Sequence, residues 1–270
     1  MTKLKRYGAL ILGVLGLCTL VLLCWNLVSS GMKNAFFRYV SQFQTTFVQD
    51  TLRTHPDFVN ALNAEGLTPL HLAIRSCTTK SCSALATAMV HLLLEKGANV
   101  NAKIQGDMER YWEKYVEVGV QDFNEPHVVT GYENTPLHEA VTSNQIEIAR
   151  LLLEKGADVN INNYYDESPL LQISCETDPK IVDLLLKHGA KPNVNMSVFE
   201  GDSPLHIATK CRNTEMAKLL LKHGADPMIE NGEGATPLQF IISDNRILKL
   251  KGMQKENIGK ELVKALETTK

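Results

Sequence analysis

Residues 135–160 read TPLHEAVTSNQIEIARLLLEKGADVN, and this stretch decides the fold. Thr135 is suited to cap a helix and Pro136 to occupy its first turn, so a helix should begin here. The three leucines that start at Leu151 supply the apolar face of a second helix. Gly156 fits the left-handed conformation in which many helices end. The stretch therefore predicts a unit of two short helices followed by a loop.

The unit recurs along the chain at nearly constant spacing. Its opening tripeptide, Thr or Ser followed by Pro-Leu, begins at Thr68, Thr135, Ser168, Ser203 and Thr236. Leucine triplets begin at Leu92, Leu151, Leu184 and Leu219, and each is followed by a Gly-Ala pair. An asparagine recurs at Asn60, Asn101, Asn160 and Asn193. One such unit is too small to bury its apolar face alone, so the units must stack.

This pattern resembles the ankyrin repeat over roughly residues 47–245. The resemblance implies an all-α solenoid of about five helix-turn-helix repeats, connected by β-hairpins or loops and closed by degenerate caps. A histidine follows the opening tripeptide at His71, His138 and His206. We expect each histidine to bond backbone or a neighbouring threonine between repeats.

The sequence divides into four parts. We expect a signal anchor at residues 1–31, a linker with a degenerate N-terminal capping repeat at 32–63, the repeats at 64–243 and a C-terminal capping helix at 244–270. Within the N-terminal cap, residues 46–63 resemble a second helix. Two insertions lengthen the interval between the first two tripeptides, a short one near 76–87 and a long one at 104–131.

The N-terminal segment predicts a single membrane span. Three positive residues among the first six are followed by an uncharged stretch at 7–32. Its apolar part, residues 8–28, is long enough to cross a bilayer core of about 30 Å. Because the positive charge lies on its N-terminal side, the body of the chain should lie on the periplasmic face of a bacterial inner membrane.

Two alternatives to this anchor stay open. Val28 and Ser30 could precede a cleavage site before Gly31, although the apolar run exceeds the usual length of a signal-peptide core. Initiation at Met32 would give a cytosolic form of the same domain.

The long insertion is predicted to be an interaction element. It combines aromatic residues with an excess of acidic side chains, and insertions in repeat arrays map to loops. Aromatic side chains often anchor protein interfaces. The candidate contact residues are Tyr111, Trp112, Glu113, Tyr115 and Phe123. The alternative is a loop that folds onto its own repeat and uses Trp112 for packing.

The ankyrin resemblance implies further contacts at loop tips and on the concave helix face. The matching positions in this sequence are Tyr164, Tyr165, Asp166, Glu167, Phe199, Glu200, Asp202, Lys210 and Arg212.

The cysteines suggest one disulfide. Cys77 and Cys82 lie five residues apart in the short insertion and could pair in an oxidising compartment. Cys175 and Cys211 fall near the ends of first helices in successive repeats. We expect them to stay unpaired, because stacked repeats lie roughly 10 Å apart and a disulfide needs Cα atoms within about 7 Å.

The sequence carries no enzyme signature such as a phosphate loop, a zinc-protease motif or a nucleophile elbow, so we expect neither catalysis nor a cofactor or metal. The formal net charge of -2 and a pI near 6.5 argue against a general nucleic-acid binder. The remaining class is a module that binds another protein.

An anchor followed by a short ankyrin array resembles immunity proteins encoded beside antibacterial secreted effectors, including type VI lipase effectors. This resemblance implies that the chain binds such an effector and covers the entrance to its active site. The alternative is an accessory or scaffold factor for a periplasmic enzyme, for example in peroxide defence.

Overall fold

A computed structural model of the protein describes residues 30–77, 79, 82–105, 133–193, 201–237 and 239. Within these ranges the regular elements are helices, and strands are absent, so the β-hairpin form of the predicted connections is not seen there. The predicted anchor at 8–28 and the predicted cap at 244–270 lie outside the described residues. Among the helices that are described, none combines the length and apolar character that a membrane span requires.

The N-terminal cap is built from two helices. Residues 30–41 form helix α1, and Thr45–Thr54 form α2, which is followed by a 3-10 segment at Pro56–Asn60. Phe36 is fully buried in α1, and its ring lies 5.6 Å from the ring of Phe58. The sequence pattern located only the second of these helices, whereas α1 also packs into the core.

Four repeats with two helical segments each follow. Their first segments, which form the inner layer, are α3 (Pro69–Arg75), α5 (Pro136–Thr142), a 3-10 segment (Pro169–Gln172) and α8 (Pro204–Lys210). Their second segments, which form the outer layer, are α4 (Ser83–Glu95), α6 (Ile146–Glu154), α7 (Pro179–Lys187) and α9 (Thr214–Lys222). The fifth repeat is described only at its start, around Thr236.

The two layers enclose one continuous apolar core. Neighbouring outer helices pack from α4 through α6 and α7 to α9, and α3, α5 and the 3-10 segment pack in the same order inside. The leucine triplets point their apolar face inward: Leu93, Leu152, Leu185 and Leu220 are fully buried. Stacking therefore buries the apolar face that each repeat exposes when it is alone.

The opening tripeptides begin the first helices, as the sequence predicts. Thr68 and Ser203 accept hydrogen bonds from the backbone N–H three residues later, and a proline follows each in the first turn. A side chain of this kind satisfies one of the N–H groups that a helix start leaves unpaired.

The short insertion is partly helical. Helix α4 begins at Ser83, inside the short insertion, and has 13 residues where α6, α7 and α9 have nine. Part of the insertion therefore lengthens the start of the outer helix of repeat 1.

Repeat 3 departs from the regular pattern. Its first segment is a 3-10 turn of four residues, and Ile173 after it is extended, with φ -69° and ψ 151°. Ile173 is buried, so its side chain still fills the core. Residues 173–178 thus form a loop, whereas the other repeats continue an α-helix over the positions equivalent to 173–175.

Gly156→Ala should destabilise the stack by about 1–2 kcal/mol. Gly156 follows α6 with φ +87°, and a left-handed conformation is costly for a residue with a Cβ. The added Cβ meets nothing within 4 Å, so the loss is one of backbone conformation alone. Urea unfolding monitored by circular dichroism measures it.

Gly31→Ala is the matched control for that substitution. Gly31 lies in helix α1, and a Cβ there also meets nothing within 4 Å. Alanine favours a helix over glycine by up to about 1 kcal/mol, so this variant should be neutral or more stable. Equal losses in both variants would contradict the conformational explanation.

Candidate protein-binding surface

Buried histidines link successive repeats. Nε2 of His138 donates to the Glu167 carbonyl at 2.9 Å, and its Nδ1 accepts from the Thr135 N–H at 3.1 Å. His71 donates in the same way to Asn134 and His206 to Ala235. Burial lowers the pKa of His71 and of His138 to about 4, so both rings are neutral near pH 7. The expected bond to backbone between repeats is confirmed. The hydroxyl contact lies within each repeat, where Nδ1 of the histidine is 2.7–2.8 Å from the hydroxyl of Thr68, Thr135 or Ser203.

The recurring asparagines form a second link on the outer side. Asn160 donates to the Gly189 carbonyl at 3.0 Å and accepts from the Lys191 N–H at 3.1 Å. Asn60, Asn101 and Asn193 make the equivalent bonds to the following repeats. The sequence indicated that this position recurs, but the structure gives its role.

A tight turn precedes the first helical segment of repeats 1 and 3 and opens repeat 5, and we call these turns the fingers. In the repeat 3 finger, the Asn163 side chain accepts from the N–H groups of Tyr165 and Glu167. Tyr164 and Tyr165 occupy the tip, with their rings 5.5 Å apart and edge to face. Tyr164 is 49% exposed, so the tip presents aromatic surface to solvent.

A chain of polar side chains runs along the inner layer from repeat 1 to repeat 3. Arg75 forms two bonds to the Glu139 carboxylate, at 2.7 and 2.9 Å. Asn134 donates to Glu139, and Asn163 donates to Asn134. We call this set, Arg75, Glu139, Asn134, Asn163, Glu167 and Gln172, the inner polar chain.

Two of the predicted contact residues act inside the stack. Glu167 is buried, and the amides of Asn163 and Gln172 donate to its carboxylate. Burial raises the pKa of Glu167. Asp202 is also buried and lies 2.6 Å from Nζ of Lys210. The expectation that Glu167 and Asp202 present surface contacts is therefore wrong, because these carboxylates hold neighbouring elements together.

The base of the long insertion lies beside the finger of repeat 1 and the start of repeat 2. Ile104 donates its N–H to the Asn134 carbonyl at 3.1 Å, and Gln105 donates to Gly66 at 3.0 Å. Nζ of Lys103 lies 2.8 Å from the carboxylate of Glu133. The residues that flank the insertion thus meet at this ion pair, and residues 106–132 lie outside the described part.

The other predicted contacts are distributed over separate places. Tyr164 and Tyr165 lie on a finger, before the inner segment of their repeat, whereas Arg212 lies in the turn after α8, with φ +54°. These positions flank opposite ends of the inner layer. The following candidates lie outside the described residues: Tyr111, Trp112, Glu113, Tyr115, Phe123, Phe199 and Glu200. Sequence reasoning also missed Met228, which is 64% exposed in the loop before the fifth repeat.

The structure contains two disulfides within the described residues. Cys77 and Cys82 are bonded with their Cα atoms 5.5 Å apart, which is the pair suggested by the sequence. Cys175 and Cys211 are also bonded, with Cα atoms 5.0 Å apart, so the expectation that they stay unpaired is wrong. The expected separation assumed regular stacked helices, whereas Cys175 lies in the irregular loop 173–178, which reaches the end of α8.

A metal centre has no basis in this part of the chain. Where the side chains are described, no cluster of three or more His, Cys, Asp and Glu residues could hold an ion. The chemistry that the surface offers is aromatic and hydrogen-bonding contact with another macromolecule.

Comparison with known proteins identifies the repeats. A sequence model for "Ankyrin repeats (3 copies)" matches residues 170–250, and one for "Ankyrin repeat" matches residues 65–104 and 132–164. Together these matches cover more than half of the chain.

Known relatives are similar through the same region. The B-cell lymphoma 3 protein homolog of Mus musculus is 28% identical over 213 residues, which is 77% of this chain and 42% of that protein. Alpha-latrotoxin-Lg1a of Latrodectus geometricus is 31% identical over 42% of this chain and 8% of the toxin. The nuclear factor NF-kappa-B p105 subunit of Gallus gallus is 38% identical over 31% of this chain and 9% of its own length. The chain thus spans less than half of these relatives, and with its stacked histidine-linked repeats it belongs to the ankyrin-repeat family.

Proposed function

We propose that this chain is an immunity protein of the bacterial envelope, which binds a secreted antibacterial effector of the lipase type and blocks its active-site entrance. Ankyrin-repeat arrays are generally non-catalytic modules that bind other proteins through extended surfaces. The proposal adds a location, a partner class and a mode of inhibition to that general role.

The observation that carries the proposal is the position of the insertion base. The Lys103–Glu133 ion pair and the Ile104 bond to Asn134 bring together the residues that flank 106–132, next to the finger of repeat 1. An insertion that leaves the array at this edge adds its own surface to that of the finger tips. Such a combined surface suits a partner with a cleft, because the insertion can cover the opening while the fingers hold its rim.

The composition of the insertion favours a particular partner surface. Its acidic residues outnumber its basic ones, and its aromatic residues include Trp112. Complementary charge would steer a basic surface towards it, and the aromatic side chains would supply most of the binding energy.

Two features support the proposed location. The N-terminal segment has the length and flanking charge of an anchor with its body outside the cytoplasm. Two disulfides in a domain of this size are typical of an oxidising compartment such as the periplasm.

Trp112→Ala should weaken partner binding about tenfold or more, because aromatic anchors carry a large share of interface energy. To test this, the outer membrane of cells that express the tagged full chain is permeabilised, and a cross-linker that cannot cross the inner membrane is added. The tagged chain is then purified, and the partner cross-linked to it is identified. Binding of that purified partner is then titrated against each variant by calorimetry.

Leu85→Ala is the matched control, because Leu85 is a 56% exposed apolar residue on the outer helix α4, away from the fingers. It should bind like the parent chain. A secreted lipase among the captured proteins supports the proposal. A resident periplasmic enzyme would replace it with the accessory function, and equal binding by Trp112→Ala would remove the insertion from the interface.

A further inference from the structure

The sequence at the junction between repeats 3 and 4 lacks the histidine that links the other repeats to their successors, and the asparagine that the fingers of repeats 3 and 5 use. Leu171 stands where the other repeats place His71, His138 and His206, and its side chain has no hydrogen-bonding atom. Likewise, Val198 stands in the sequence where the fingers of repeats 3 and 5 have asparagine. The corresponding Asn163 and Asn231 each donate to a side chain of the preceding repeat, at 3.0 and 2.9 Å.

The packing of the inner layer is also weaker at this junction. The 3-10 segment of repeat 3 packs against α5 on one side more closely than it packs against α8 on the other. The outer side is regular, since Asn193 donates to the Gly224 carbonyl at 2.9 Å. The missing hydrogen-bonding side chains and the weaker packing at this junction are therefore confined to the inner layer.

The Cys175–Cys211 disulfide lies in this deficient layer. At the equivalent end of the inner helices, the first junction has Gln145, which donates to the carbonyls of Ile74 and Cys77. The second has Asn144, which donates to the Glu176 carbonyl at 3.2 Å. A covalent bond thus takes the place at the third junction that amide hydrogen bonds take at the first two.

We infer that the Cys175–Cys211 disulfide is a redox-sensitive latch, which holds the inner layer of repeats 3 and 4 together and whose reduction opens this junction alone. Cys175 is exposed at the tip of the loop 173–178, so a dithiol can reach its sulfur. The attacking dithiol closes its own disulfide and is oxidised. Cys175 and Cys211 take up the two electrons and two protons and become thiols.

The latch differs from the second disulfide in what it joins. Cys77 and Cys82 close a short turn within repeat 1, whereas Cys175 and Cys211 are 36 residues apart and belong to different repeats. Closing a longer loop constrains the unfolded chain more, so the latch should contribute more to stability. In a repeat array, loss of one interface term affects mainly the two repeats that share it.

Hydrogen–deuterium exchange of the full chain in mild detergent, with and without dithiothreitol, tests the latch. Reduction should raise the exchange rate at least about tenfold in peptides that cover residues 170–178 and 204–213. Peptides from α5 and α6 in repeat 2 should exchange as before, because the histidine bonds at the junctions on both sides of repeat 2 are kept.

Two variants separate the latch from other effects of the reductant. Cys77→Ser/Cys82→Ser should keep the full response of the two junction peptides. Cys175→Ser/Cys211→Ser should show fast junction exchange already without reductant and no further change with it. Unchanged exchange on reduction, acceleration spread evenly over all repeats, or free thiols at both positions in the untreated chain would each overturn the inference.

Discussion

Acid should destabilise this array by about 5 kcal/mol between pH 7 and pH 4, mainly through two buried histidines. His71 and His138 have pKa values of about 4 in the folded chain, against about 6.5 when unfolded. Because the folded pKa is depressed, the unfolded chain binds more protons throughout this window. The free energy of unfolding is therefore fully retained above pH 6.5 and falls as the pH drops towards 4, by up to about 1.4 kcal/mol per pH unit for each histidine.

The hydrogen bonds explain why protonation is so unfavourable. Nε2 of His138 donates to a carbonyl, so the ring carries its proton there, and Nδ1 accepts from the Thr135 N–H. A proton on Nδ1 would face that N–H and would place an imidazolium in a buried site. His206 has the same arrangement, and burial also lowers its pKa.

Two buried carboxylates also change the pH dependence of stability, and their effects have opposite signs. Burial alone would raise the pKa of Glu139, but the Arg75 guanidinium lowers it below the ordinary value for glutamate. The stability that the Glu139 carboxylate contributes is therefore lost only when the pH falls below that ordinary value. Burial raises the pKa of Glu167, so protonation of this group favours the folded state in acid. Neither carboxylate cancels the loss of stability that is expected from protonation of the histidines.

Urea unfolding monitored by circular dichroism at pH 7, 6, 5 and 4 measures this dependence. His138→Leu is the matched control, because repeat 3 has Leu171 at the same position. This variant is less stable at pH 7, since the Glu167 carbonyl loses its donor, but it should lose only about half as much between pH 7 and 4. Parallel pH profiles for the two chains would exclude His138 as a source of the acid sensitivity.

Much of the array could be predicted because the features that define it are local. Thr-Pro at a helix start, the histidine three residues after the Thr or Ser, and the glycine after the second helix each depend on a few neighbouring residues. Their repetition at a constant spacing fixes how the units stack. For these elements the structure confirms the prediction from the sequence.

The features that the sequence did not predict depend on contacts between distant segments. Cys175 meets Cys211 only because repeat 3 loses its inner helix and the loop 173–178 turns towards α8. Helix α1 follows directly on an apolar segment, so Phe36 gave no separate signal in the sequence. On the candidate surface, the exposed finger tip at Tyr164 could be predicted from the repeat, whereas the burial of Glu167 and the pairing of Lys103 with Glu133 could not.

The Arg75–Glu139 pair should be the most sensitive ion pair among the described residues. Glu139 is only 7% exposed, and Arg75 approaches it with both Nε and a terminal nitrogen. The two residues belong to successive repeats and begin the inner polar chain. Arg75→Met should therefore lower the free energy of unfolding by about 2–3 kcal/mol, because it leaves a carboxylate buried without its cation. The value lies below that of a fully buried pair, since the Arg75 side chain is 37% exposed.

A double-mutant cycle at pH 7.5 isolates the interaction from the loss of each side chain. Arg75→Met/Glu139→Leu should recover most of the stability lost in Arg75→Met, because no charge is then left buried. Lys187→Met is the matched control: Lys187 pairs with Asp183 at 2.6 Å on the exposed face of α7, and its loss should cost less than about 1 kcal/mol. If Arg75→Met were as mild as Lys187→Met, the inner polar chain would contribute no more than a surface pair. The histidine, glutamine and asparagine bonds, the Lys103–Glu133 pair and apolar packing would then hold repeats 1 and 2 together.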